Sequence, residues 1–223
     1  MGTFRLSICL GERSATWAAA MLTRLTALPR SYPFAFGVGI SCAKTVAADA
    51  TAQLYVEGRD TLDKRRSAVF AVWGALYLGG VQYFIYNILL PRWLFPSAAA
   101  YVAKPVAERL KDRAGQITVV KQVALDQFIH HPFILFPCFY CVKEFVERGA
   151  AFDADAACDA LSKYRTNMLE DLKACWATWV PAFLFNFSIN PLWARIPFVA
   201  VVSFGFTTYF SFLRGKPQEL KDS

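Results

Sequence analysis

Ala68-Val-Phe-Ala-Val-Trp-Gly-Ala-Leu-Tyr-Leu-Gly-Gly-Val-Gln-Tyr-Phe-Ile-Tyr-Asn-Ile-Leu-Leu-Pro91 runs without a single charged residue. About 20 apolar residues suffice to cross the ~30 Å hydrocarbon layer of a bilayer as a helix. Ala174 to Ala194 and Ile196 to Leu213 are also free of charge and reach or approach that length. Inside lipid a backbone must satisfy its own hydrogen bonds, so such blocks are expected to be helices rather than open strands.

Composition agrees with this reading. Of 223 residues 56% are hydrophobic, 16% aromatic and only 18% charged, where a soluble domain carries about 25% charged. The excess of 24 basic over 17 acidic residues gives a net charge of +7. In a membrane protein such an excess serves orientation and anionic lipid. No basic tract with interleaved aromatics suggests a nucleic-acid partner. The six cysteines lie mostly in or beside apolar stretches and lack the framework of a secreted disulfide scaffold.

Outward from the second apolar block, the chain divides into an arm, a hydrophobic body and a polar tail. Residues 1–30 carry Arg5, Arg13, Arg24 and Arg30 against one acid, Glu12. That texture suits an organelle-targeting segment or a flexible solvated arm. A first span is expected from Pro33 to Val56, rich in small residues that let helices approach. A charged turn, Glu57 to Arg66, leads to the second span, Ser67 to Leu90, which Pro91 should end. Pro96 to Gln116 is mixed and suits a short interfacial helix. A third span, Ile117 to Val142, should kink at Pro132 and Pro137. Lys143 to Lys173 reads as an exposed amphipathic helix or loop. Two apolar helices follow, Ala174 to Asn190 and Ile196 to Leu213. The expected fold is all-α, a polytopic transmembrane bundle over 31–215 with four to five hydrophobic helices, then a polar tail at 216–223.

Polar groups within membrane helices are costly and are functional candidates by default. Asp126, Gln127, His130 and His131 form the clearest set, with Asp126 and His130 one helical turn apart. They can line an aqueous path or bond between helices, and the sequence alone leaves both open. Asp49 and Gln53 share a face and can join this cluster, with Lys44 the expected counter-ion for either aspartate. A zinc site drawn from His130, His131, Cys138 and Cys141 lacks a matching second cysteine pair, so no metal or other cofactor is expected. No G-x-S-x-G elbow, phosphate-binding loop or H-E-x-x-H pair is present, and no enzyme activity is expected. On the fourth hydrophobic helix Trp176, Trp179, Phe183, Asn186, Phe187 and Asn190 recur every three or four residues, either as a packing face or as one wall of a polar cavity.

These last residues carry a resemblance. The run from Trp176 to Arg195 resembles the C-terminal signature of the Mpv17/PMP22 family, with Trp176, Trp179, Asn186, Phe187, Pro191 and Arg195 in register. Pro181 stands one place late, Val180 holding its usual position, and Phe183 replaces a glutamine. Leu125-Asp126-Gln127 with Pro132 is similar to the family's Asp-Gln motif. Asp49 with Gln53 matches the first-helix pattern, although Ala48 replaces a glycine. Gly74, Gly79 and Tyr86 fit the second helix, where Gly80, Tyr83 and Ile85 depart from it. The resemblance covers about Pro29 to Gly215 and is strongest in the last half.

The resemblance implies a small organellar membrane protein, in the mitochondrial inner membrane or alternatively a peroxisomal or plastid membrane. It implies a channel-like pore for small solutes or ions, the alternative being a non-conducting accessory subunit of a larger complex. Lys44, Asp49, Gln53, Asp126, Gln127, His130 and Asn186 are then the expected polar core, with membrane lipid and a homo-oligomer or larger complex as partners.

Overall fold

The computed structural model describes residues 31–149, 153–190 and 192–216. Among the described residues the chain is all-α, with no strand. The arm at 1–30 and most of the polar tail lie outside them.

Helix α1 runs Pro33–Thr51 and continues as a wider, π-helical turn over Ala52–Val56. Pro33 opens it, where a missing N–H costs nothing. Gly58, at φ +66°, reverses the chain after it. Helix α2 spans Lys64–Leu94. Asp63 caps its start, its carboxylate accepting from the Arg65 and Arg66 amides at 3.0 and 3.1 Å. The short helices α3, Pro96–Ala103, and α4, Val106–Arg109, turn the corner. Helix α5 is one rod made of Arg113–Leu125, a π-helical Asp126–Leu135 and Phe136–Glu147. Helix α6, Ala154–Ser188, and α7, Leu192–Arg214, complete the chain.

Two glycines set how closely α1 and α2 meet. A Cβ on Gly74 would sit 2.0 Å from Thr45 Oγ1 and 2.7 Å from the Ser41 carbonyl oxygen. One on Gly79 would lie 2.5 Å from Val38 Cα. The backbones therefore touch, as small residues allow in membrane helices, and Thr45 Oγ1 donates across the seam to the Phe70 carbonyl at 2.8 Å.

The core beside this seam is aromatic. Phe70, Trp73, Tyr77, Phe136, Phe139, Tyr140, Tyr164 and Phe210 are all buried in it. Trp73 stacks on Tyr77 with ring centroids 4.3 Å apart, and Phe139 meets Trp73 edge-on at 5.4 Å. Such pairs contribute about 0.5–1.5 kcal/mol each beyond burial. A second, smaller cluster of Tyr101, Val119 and Val123 pins α3 to α5. There Gly115 leaves room for the Tyr101 ring, which a Cβ would meet at 1.9 Å.

Two expectations are corrected. Pro91 does not end α2, which continues to Leu94. Around it the bonds reach five residues back, as from the Phe95 amide to the Leu90 carbonyl at 2.7 Å, and this wider ladder accommodates a residue without an N–H. Pro132 lies inside the π-helical stretch of α5 and Pro137 at the start of its last part, Phe136–Glu147. Lys143 to Lys173, expected as an exposed amphipathic helix or loop, is largely helical, as the end of α5 and the first half of α6, but it is not simply exposed. Its Ala156, Ala160 and Tyr164, four apart, are buried.

One described helix, Lys64–Leu94, is long and apolar enough to cross a membrane, and Phe198–Arg214 is a shorter apolar helix. The expected spans Pro33 to Val56 and Ile117 to Val142 carry the buried Asp49 and Asp126, which lower their hydropathy. Polarity is nonetheless distributed inside out. Asp49, Arg66, Asp126, Asp171 and Arg214 are buried, whereas Leu76, Phe133 and Val201 are 64%, 71% and 73% exposed.

Candidate functional site

The π-helical turn of α5 begins on Asp126, which is buried with Gln127, His130 and His131. Asp126 Oδ1 accepts from the Tyr86 hydroxyl at 2.7 Å and from His130 Nδ1 at 2.9 Å, and Oδ2 accepts from Gln127 Nε2 at 2.9 Å. A carboxylate only accepts, so His130 carries a proton on Nδ1. In the neutral ring Nε2 then accepts from the Tyr77 hydroxyl at 2.8 Å. His131 Nδ1 donates to the Asp126 carbonyl at 2.6 Å. Four side chains from α2 and α5 thus form one chain, Tyr77–His130–Asp126–Tyr86. Helix α6 closes it. Trp176 Nε1 donates to the Gln127 carbonyl at 2.8 Å, and Cys175 Sγ lies 3.6 Å from Gln127 Oε1.

Asp126, His130 and His131 bring donor atoms within 4.8 Å of one another, so they are the group among the described residues that could hold a metal ion. Both Nδ1 atoms, however, already donate to Asp126, and ligation through them would break those bonds. Cys138 and Cys141 pack against the aromatic core instead.

Asp49 and Gln53 do not join this cluster. They form a second one at the other end of α1. Asp49 Oδ1 accepts from Arg66 Nε at 2.8 Å and Ser211 Oγ at 2.6 Å, and Oδ2 accepts from Ser67 Oγ at 2.7 Å and Gln53 Nε2 at 2.8 Å. Gln53 Oε1 takes the Asp63 amide at 2.7 Å, and Arg66 reaches Glu57 at 2.7 Å. This network ties α1, α2 and α7 together.

Lys44 is not the counter-ion of either aspartate. Its Nζ donates to Ser203 Oγ on α7. Five residues along a helix place Lys44 and Asp49 about 140° apart, so the two project on different faces, and Arg66 supplies the positive charge. Asn186 stands apart as well, accepting from Asn190 Nδ2 at 3.0 Å, while Arg109 Nη2 donates to the Asn190 carbonyl at 3.0 Å. Trp179 stacks on Phe183, centroids 5.2 Å apart, and Phe183 packs against Tyr101, Val119 and Val123. The aromatic stripe of α6 is therefore a packing face here. Pro181 is exposed on α6. Pro191 and the side chains of Phe187 and Arg195 lie outside the described residues.

Sequence reasoning missed Arg66, Ser67 and Ser211 around Asp49. It also missed Asp171, whose carboxylate accepts from Tyr140 and Arg214 Nε, each at 2.7 Å. Arg66 was legible only as the end of the charged turn, Ser67 as the start of the second span, and Ser211 as one hydroxyl in an apolar run.

An open groove of about 190 Å³ lies between α1 and α2. Ser41, Gln82, Tyr83, Tyr86 and Asn87 supply its polar wall, and none of its lining residues is charged. Tyr86 belongs to both features, lining the groove and donating to Asp126.

The described residues thus form an all-α chain with one helix long and apolar enough to cross a membrane and a buried Asp-Gln-His cluster. Residues 153–211 match the model of the Mpv17 / PMP22 family. The chain is similar to Protein SYM1 of Debaryomyces hansenii, 26% identical over 165 residues, or 74% of each chain. Protein SYM1 of Candida albicans is 28% identical over 97 residues, covering 44% of this chain and 48% of the relative. Protein SYM1 of Mycosarcoma maydis is 29% identical over 106 residues, covering 48% and 50%. The chain thus spans about half the length of two of these relatives. No solved structure matches. These similarities support an organellar membrane protein.

Proposed function

We propose that the chain is a polytopic bundle of the mitochondrial inner membrane, with a peroxisomal or plastid membrane as the alternative, and that it forms a channel-like path for small solutes. The inside-out distribution of polarity supports several crossings, since buried ion pairs replace water for the charges while exposed Phe and Val suit lipid. One observation carries the path: Tyr86 is a wall of the uncharged groove and also holds Asp126 behind it. The groove offers hydroxyls and amides to a solute entering from α1 and α2, and no chemical step is required of any residue.

Flux through the purified protein in liposomes tests this. Protein-dependent passage of a small solute that changes in Tyr86→Phe supports the path, and passage indifferent to that change removes Tyr86 from it.

The saturated surroundings of Asp49 favour a second reading. All four of its accepted bonds come from protein groups, so buried polarity can serve packing alone, as in a non-conducting accessory subunit. Native gels of mild-detergent extracts separate the readings: a stable large complex supports the subunit, and a free small oligomer supports the pore.

A further inference from the structure

We propose that the corner formed by the end of α2, by α3 and α4, and by the first turns of α5 is a docking face for anionic phospholipid headgroups. Arg92, Lys104, Lys111, Arg113 and Lys121 are all exposed there, against the acids Glu108 and Asp112. One acid is already engaged, since Lys104 Nζ meets Asp112 Oδ2 at 2.6 Å. Arg92, Lys111, Arg113 and Lys121 remain as positive charge on the surface.

The fold gives this charge a membrane-facing arrangement. On α5 the face of Gly115, Val119 and Val123 is buried against α3. The opposite face carries Arg113, Ile117, Val120 and Lys121, spaced by four, three and one residues, which is one helical stripe. Ile117 and Val120 are exposed, so apolar and basic groups alternate along it. Beside it, Trp93 is 77% exposed at the foot of the long apolar helix. Tryptophan at the end of a span sits at headgroup level. Basic residues at that level are attracted to anionic lipid, while Trp93, Leu110 and Ile117 can enter the acyl boundary.

The charge excess favours an anionic headgroup over a zwitterionic one, because a neutral lipid provides nothing to offset the net positive charge that remains after Glu108 and Asp112 are counted. The Tyr101–Gly115 contact holds α3 against α5, so the face is ordered before lipid arrives.

The full chain is reconstituted in phosphatidylcholine vesicles containing a minor share of phosphatidylglycerol, then released in mild detergent, and retained lipids are counted by native mass spectrometry. Wild type is expected to retain phosphatidylglycerol well above the input ratio. The combined variant Arg92→Gln, Lys111→Gln, Arg113→Gln and Lys121→Gln should lose that enrichment by roughly fivefold or more. Arg165→Gln with Lys173→Gln, exposed on α6, should keep it. Raising salt on wild type gives a readout that needs no variant, since headgroup attraction is screened over roughly 10 Å at 0.1 M. No enrichment in wild type, enrichment that ignores salt, or equal loss in the α6 variant would each overturn the proposal.

Discussion

The Tyr86 hydroxyl donates to Asp126 Oδ1 at 2.7 Å while the Tyr86 side chain lines the groove between α1 and α2. Removing that hydroxyl leaves Asp126 with the His130 and Gln127 donors and opens its carboxylate to the groove. Tyr86→Phe is therefore expected to fold, with a stability loss of about 1 kcal/mol, and to change solute flux. Thermal unfolding in detergent and liposome flux, measured on the same preparation, check the two parts.

Arg66 and Asp49 form a buried ion pair that joins α2 to α1. Asp49→Ala removes one of the two carboxylates that face the buried Arg66, Glu57 being the other, and should cost up to about 3 kcal/mol. Replacing both, as Asp49→Leu with Arg66→Met, should cost less than the sum of the single changes, because no buried charge is stranded. A double-mutant cycle on unfolding midpoints decides this, and strict additivity would show that the pair does not act as a unit.

The glycine contacts predict steric failure. Gly74→Ala places a methyl 2.0 Å from Thr45 Oγ1, and α1 must move off α2 to relieve it. Overpacking of this kind costs about 1–3 kcal/mol. Gly39→Ala, where no atom lies within 4 Å, should be neutral. Unfolding of the two variants side by side separates contact from composition.

A pH effect is expected at the other end of α5, beyond its apolar stretch. Burial pushes the Glu144 carboxyl up, but hydrogen bonds from Lys163 and Arg148, both at 2.7 Å, outweigh it and hold the group below its ordinary value of 4.5. A depressed folded value means the unfolded chain takes up the proton first. The stabilisation is complete above pH 4.5 and is lost as pH falls through the folded value. The stability difference between wild type and Glu144→Gln should therefore be large near neutrality and shrink on acidification. A difference that grows with acid would reverse the assigned sign.

Much of the fold was legible because apolar length is read directly from sequence. Ala68 to Pro91 marked α2, and the four-residue spacing of Asp126 and His130 marked their shared bonds. The misreadings share a physical cause. Asp49 finds Arg66 and Ser211 across 17 and 162 residues of chain, a choice made by helix packing and invisible to local spacing. Lys44 seemed the nearest charge along the chain, but helical rotation turns it towards Ser203. Pro91 reads as a stop only if the ladder keeps α-helical bonds. The face of α6 marked by Ala156, Ala160 and Tyr164 is spaced as a buried stripe, yet its small side chains and surrounding charges gave it the texture of an exposed helix or loop.

Similarity to the Mpv17 / PMP22 family supports membrane residence, and the path for small solutes is the central claim. Its most direct test is solute flux through the purified full chain in liposomes, with wild type, Tyr86→Phe and Asp126→Asn compared at equal insertion. The account predicts protein-dependent flux that both substitutions alter while the helical spectrum is unchanged. Folded, inserted wild-type protein that passes no solute would contradict it and leave the buried polar clusters as the glue of a non-conducting subunit.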